Sequence, residues 1–128
     1  MNMQRILYIE DNMLNVQLVQ KCLENSPYQL IAAQYGEEGI QFAATHQPHL
    51  VMVDLNLPDM TGFDVIAHLR QLPGMGNIPI IILTADSSEK SMRRVESLGC
   101  EGYLTKPVSR RLLLRKLDSF LLPVAIAL

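Results

Sequence analysis

The chain has 128 residues and a mass of 14.4 kDa, which suits one compact domain. At 48% apolar and 19% charged residues, with a mean hydropathy of +0.13, it can bury a full core, which excludes intrinsic disorder. A net charge of −2 offers neither a basic stripe for a nucleic-acid backbone nor a polybasic patch for a membrane surface.

Short β-branched runs alternate with segments of helical period. Arg5–Glu10 reads as a strand, followed by a helix from Met13 to Asn25 whose Val16, Val19 and Leu23 share one face. Asn25-Ser26-Pro27 stops it, and Tyr28–Ala33 is a second strand. The helix over Glu37–Thr45 carries Ile40, Ala43 and Ala44 on one face and ends at His46-Gln47-Pro48. Leu50–Val53 is apolar throughout, as a central strand of a parallel sheet covered on both faces must be. Thr61-x-x-Asp64 opens a helix that ends near Leu72. Ile80–Leu83 is another fully buried strand, and a helix then runs from Ser87-Ser88-Glu89 to Leu98, with Gly99 as its stop. Gly102–Thr105 is a fifth strand, and Ser109 caps a last helix through Leu122. Five strands alternating with five helices predict an α/β three-layer sandwich with a parallel sheet and right-handed crossovers.

In such a sheet, ligands gather at the carboxyl ends of the strands. Glu10 and Asp11 follow the first strand, Asp54 the third, Thr84 closes the fourth and Lys106-Pro107 follows the fifth. Singly, each has an ordinary role: a helix cap, a turn residue, a hydroxyl bonded to backbone, a solvated charge. Together, three carboxylates at one edge repel one another unless a cation sits among them, and an all-oxygen shell is what Mg²⁺ prefers. Crowding of this kind is expected to raise the pKa of at least one carboxyl. A neighbouring Thr and Lys suit a phosphoryl group beside the metal.

Other chemistries lack their residues. There is no G-x-G-x-x-G, no G-x-x-x-x-G-K-[ST], no G-x-S-x-G and no H-E-x-x-H. His46 and His49 are expected to be solvated, and Cys22 and Cys100 to be reduced core fillers. No apolar stretch is long enough to span a bilayer and no secretory pattern opens the chain, so a cytoplasmic location is expected.

Glu10-Asp11, the run Asp54-Leu55-Asn56-Leu57-Pro58-Asp59-Met60-x-Gly62, Leu83-Thr84-Ala85 and Gly102-Tyr103-Leu104-Thr105-Lys106-Pro107 resemble the response-regulator receiver domain of two-component phosphorelays. The resemblance covers roughly Arg5 to Leu122. It implies a flavodoxin-like (βα)5 fold with strand order 2-1-3-4-5, with residues 1–122 as the receiver domain and 123–128 as a short apolar tail. It also implies a phosphoacceptor, Asp54, and an Mg²⁺ site made of Glu10, Asp11, Asp54 and the main-chain carbonyl of Asn56. Lys106, the Thr84 hydroxyl and the Ala85 N–H would bind the phosphoryl oxygens, Thr84 and Tyr103 would form a switch, and the Lys106–Pro107 bond would be cis.

The function implied is a signalling switch, not an enzyme, that assists its own phosphorylation and slow dephosphorylation. Its partners would be a histidine kinase or histidine phosphotransfer protein and a downstream protein at the face over residues 89–122, with no direct nucleic acid or membrane contact. A homodimer stays open. Lys90, Arg93, Arg94, Arg110 and Arg111 make that face modestly basic. The alternative is a constitutive protein-interaction module, free-standing or part of a larger regulator, that is rarely phosphorylated.

Overall fold

Residues 3–85 and 88–121 are described by a computed structural model. Five strands, β1 (Gln4–Ile9), β2 (Tyr28–Ala33), β3 (Leu50–Val53), β4 (Ile80–Thr84) and β5 (Gly102–Thr105), pair in parallel in the order β2-β1-β3-β4-β5. The helices between and after them are α1 (Met13–Cys22), α2 (Gly36–His46), α3 (Gly62–Gln71), α4 (Glu89–Ser97) and α5 (Arg110–Leu121). The architecture and strand order match the expectation from sequence.

Strand alternation divides the core into two. Leu7, Ile9, Val51, Val53, Ile80 and Ile82 face one side, where Ala43 of α2, Val65, Ile66 and Leu69 of α3 and Val95 of α4 cover them. Ile6, Tyr8, Leu50, Met52, Ile81 and Leu83 face the other, against Val16 and Val19 of α1 and Leu113 and Leu117 of α5. Both faces of the central strands are therefore dry, which is why β3 and β4 are apolar at every position before the site.

Three local readings are corrected. The first helix ends at Cys22, not Asn25, because Leu23, Glu24 and Ser26 bond in tighter i→i−3 turns and Asn25 takes a left-handed φ of 60°. On α2, Ala44 points outward; the buried face is Gly36, Gly39 and Ala43. A Cβ on Gly39 would lie 2.4 Å from the Ile9 side chain, so α2 lies closer to the sheet than alanines would allow. Cys22 and Cys100 are free and half-buried rather than buried. The apolar tail expected at 123–128 lies outside the described residues.

Candidate functional site

Parallel register delivers the chemistry to one edge. Ile9 pairs with Val53, Val53 with Ile82 and Thr84 with Thr105, so Glu10, Asp54 and Lys106 leave their strands on the same side of the sheet. Glu10 and Thr84 are fully buried and Asp54 is 7% exposed. Asp11 stands exposed at the rim, and Asn12 takes the capping role, its Oδ1 accepting from the Leu14 N–H at 2.9 Å.

The Lys106 ammonium binds two of the acids. It donates to Asp54 Oδ2 at 2.8 Å and to Glu10 Oε1. Asn15, on the first turn of α1, donates from Nδ2 to the same Glu10 oxygen at 2.6 Å. Asp54 Oδ1 accepts from the Asn56 N–H at 3.3 Å. The Lys106–Pro107 peptide is cis, and the Lys106 N–H donates to the Thr84 carbonyl at 2.9 Å. One carboxylate oxygen each from Glu10, Asp11 and Asp54 lies within 4.8 Å of the others. Glu10 Oε2 is buried with no hydrogen-bond partner.

The crowding falls on Glu10. Burial, reinforced by the facing Asp54, pushes its carboxyl up to about 7, and Lys106 and Asn15 offset only part of this. At Asp54 burial acts against ionisation, yet Glu10, Lys106 and the Asn56 N–H together hold its carboxyl below the usual range. Burial likewise works against the Lys106 charge, and the carboxylates of Asp54 and Glu10 raise its pKa despite that. The edge thus presents a carboxyl held toward its charged form, a cation bonded to it and an oxygen-only donor set that fits a hard divalent cation.

The loop after Asp54 is closed and tied down. Gly62 donates to the Leu55 carbonyl at 2.8 Å, and Asn56 and Thr61 form an antiparallel bridge. A Cβ on Gly62 would fall 2.4 Å from the Asp54 carbonyl oxygen, so only glycine permits this approach. Thr84 and Tyr103 share a sheet face, since Tyr103 pairs with Ile82, two residues before Thr84. Tyr103 is half-buried against that core, and Ala85 is exposed beside the site.

Two residues of the site were missed as contributors. Asn15 was visible only as part of the run Glu10-Asp11-Asn12-x-x-Asn15. Asp59 caps α2 from a distant loop, and the signal for it was the poor cap Tyr35 before Gly36, which forms no side-chain cap bond. Lys90, Arg93, Arg94, Arg110 and Arg111 are all exposed, as expected, and three of them are also engaged. Arg110 donates to the Cys22 and Glu24 carbonyls at 2.7 Å each, Arg94 lies 4.2 Å from the centre of the Phe63 ring, and Arg93 pairs with Glu89.

Residues 6–118 match the response regulator receiver domain family. The polar-differentiation response regulator DivK of Brucella anthropi is 32% identical over 116 residues, 91% of this chain and 94% of that one. Among solved structures, the chemotaxis protein CheY4 of Vibrio cholerae superposes with a TM-score of 0.86 at 28% identity, covering 93% of this chain and 99% of that one. The receiver domain of a Pseudomonas aeruginosa sensor histidine kinase, with a magnesium ion coordinated in its active-site cleft, gives 0.85 at 26% identity, covering 92% and 97%. By sequence match and by fold, the chain belongs to the response regulator receiver domains.

Proposed function

We propose that the chain is a phosphorylation-switched signalling module in which Asp54 takes a phosphoryl group from a phosphohistidine on a partner protein. The observation that carries this reading is the buried Asp54 carboxyl, bonded at 2.8 Å to the Lys106 ammonium within a cluster of three acids. In transfer, an Asp54 oxygen attacks phosphorus, the P–N bond breaks, and the histidine imidazole leaves with the electron pair and is then protonated. Lys106 turns its charge to the transferred group, while the Thr84 hydroxyl and the Ala85 N–H bind its remaining oxygens. Alignment and charge neutralisation suffice, because phosphoryl transfer needs little covalent help.

Asp11 and Asp54 through their carboxylates, Asn56 through its main-chain carbonyl and Glu10 at one remove would hold Mg²⁺. The donor chemistry fits, since all the groups are oxygen and Glu10 Oε2 has no other partner. Bound there, the ion supplies the positive charge that lets two anionic groups meet. The magnesium in the related Pseudomonas receiver supports the choice of metal.

The partner would approach over α1, where Met13, Leu14 and Leu18 stand exposed beside Asp11. The signal would leave through Thr84 and Tyr103. Thr84 drawn to the phosphoryl group vacates space on the face it shares with Tyr103, and the entering ring changes the surface of α4, β5 and α5 offered to a downstream protein. Slow hydrolysis of the acyl phosphate at the same site resets the switch. A cytoplasmic site of action belongs to this reading; among the described residues no helix is long and apolar enough to cross a membrane.

Incubation with acetyl phosphate and Mg²⁺, followed by intact mass, tests it. One added phosphoryl group, which fails to form when EDTA chelates the Mg²⁺, is the expected result. No added group under any Mg²⁺ concentration would favour a constitutive interaction module instead.

A further inference from the structure

One polar atom of the core is unused by anything above. Tyr8 lies in the middle of β1, fully buried, among Ile6, Leu50, Met52, Leu83 and Val19. The same cluster holds a second buried tyrosine, Tyr28, but its hydroxyl is bonded to Asp118. Tyr8 Oη is one of two buried side-chain polar atoms among the described residues with no hydrogen-bond partner; the other is Glu10 Oε2. A buried hydroxyl left unpaired is costly, so a partner is required by the physics.

The surroundings supply a place for one. Tyr8 and Glu10 are two residues apart on an extended chain and therefore point to the same face. Against that face lies a cavity of about 10 Å³, lined by Tyr8, Asn15, Leu18, Val19, Leu83, Lys106, Pro107 and Val108. That is room for about one water molecule. Its two other polar liners, Asn15 and Lys106, are the residues that bond Glu10 Oε1.

We infer that Tyr8 is a positioning residue whose hydroxyl holds one buried water behind the site, and that this water steadies Lys106 for transfer. The water accepts from the Tyr8 hydroxyl and from the third N–H of Lys106, whose other two are directed to Asp54 and Glu10. It donates to the side-chain carbonyl of Asn15. Tyr8, Asn15 and Lys106 are thereby joined into one network beneath the acids, and the lysine stem cannot swing toward the α1 side when the phosphoryl group arrives. The role of Lys106 in this inference rests on the proposed phosphotransfer; the water does not.

Tyr8→Phe removes only the hydroxyl and keeps the ring that fills the core. In the full-length chain, proton NMR should detect a long-lived water through cross-relaxation with the Asn15 side-chain amide, and this signal should vanish in Tyr8→Phe. With acetyl phosphate at saturating Mg²⁺, the phosphorylation rate of Tyr8→Phe should fall about tenfold, as small losses of alignment do. The Mg²⁺ concentration for half-maximal rate should stay unchanged, a split that a general loss of folding would not give. A wild-type chain without the water signal, or a variant phosphorylated at the wild-type rate, overturns the inference. A wild type that accepts no phosphoryl group contradicts the function proposed for Asp54, and the water signal alone then decides the role of Tyr8.

Discussion

The Asp59 carboxylate and the Gly36 backbone are joined: Asp59 Oδ1 accepts from the Gly36 N–H at 2.8 Å while Oδ2 accepts from the Glu37 N–H at 3.0 Å. A residue of the loop after Asp54 therefore caps α2, a helix whose own preceding residue, Tyr35, gives it no side-chain cap. Those backbone donors hold the Asp59 carboxyl below its ordinary pKa. Asp59→Ala should cost about 1 kcal/mol in urea denaturation, the usual value of a helix cap, and Asp59→Asn appreciably less. Equal losses in the two variants would show that the cap is not what the carboxylate contributes.

Gly62→Ala sets helix propensity against packing. Alanine is better than glycine by about 1 kcal/mol inside a helix, but its Cβ would sit 2.4 Å from the Asp54 carbonyl oxygen and 2.9 Å from the Leu55 Cα. Both contacts are backbone, so relief requires the loop to move. The substitution should lower stability by about 2 kcal/mol and slow phosphorylation by acetyl phosphate. A variant as stable as the parent in denaturant melts would mean that the loop yields more easily than its two closing bonds imply.

The layered fold was readable because the central strands are apolar on both faces. Leu50–Val53 and Ile80–Leu83 admit no reading as half-exposed strands, and their parallel pairing places Asp54 and Thr84 at one edge without further information. What stayed hidden depended on contacts between distant segments. Nothing around Asp59 announces that it caps α2, and nothing near Arg110 announces that it satisfies carbonyls at the end of α1. The glycine face of α2 was misread because glycine carries no apolar periodicity, although Gly36 and Gly39 at helical spacing mark a close approach.

His49 gives the stability a pH dependence of known sign. Its Nδ1 accepts from the Arg5 backbone N–H at 2.9 Å, and partial burial together with the nearby Arg5 charge lowers its pKa. On acidification the unfolded chain takes up this proton first, near its ordinary value of about 6.5. Folding is then favoured fully above that pH and progressively less as the pH falls toward the lowered folded value. His49→Asn should flatten the fall in unfolding free energy between about pH 7.5 and 5.5. An unchanged slope would assign the dependence to other groups.

The route by which the signal leaves is open to a direct comparison. Thr84→Ala keeps Asp54 and Lys106 and should still accept a phosphoryl group. Its binding to a downstream protein should respond to the phosphoryl mimic beryllofluoride about tenfold less than that of the wild type, because the proposed switch needs Thr84 to make room for Tyr103. The same ratio in both proteins would place the exit elsewhere, most directly in the loop Leu55–Met60 beside Asp54.

The identity of the acceptor can be read from the chain itself. An acyl phosphate on an aspartate is reduced by borohydride to homoserine, which marks the phosphorylated position permanently. After phosphorylation with acetyl phosphate and Mg²⁺, reduction and peptide mapping should find the mark at Asp54 alone, and not at Glu10, Asp11 or Asp59. A mark at any other acid, or one that persists in Asp54→Ala, would contradict the assignment of Asp54 as the residue through which this protein is switched.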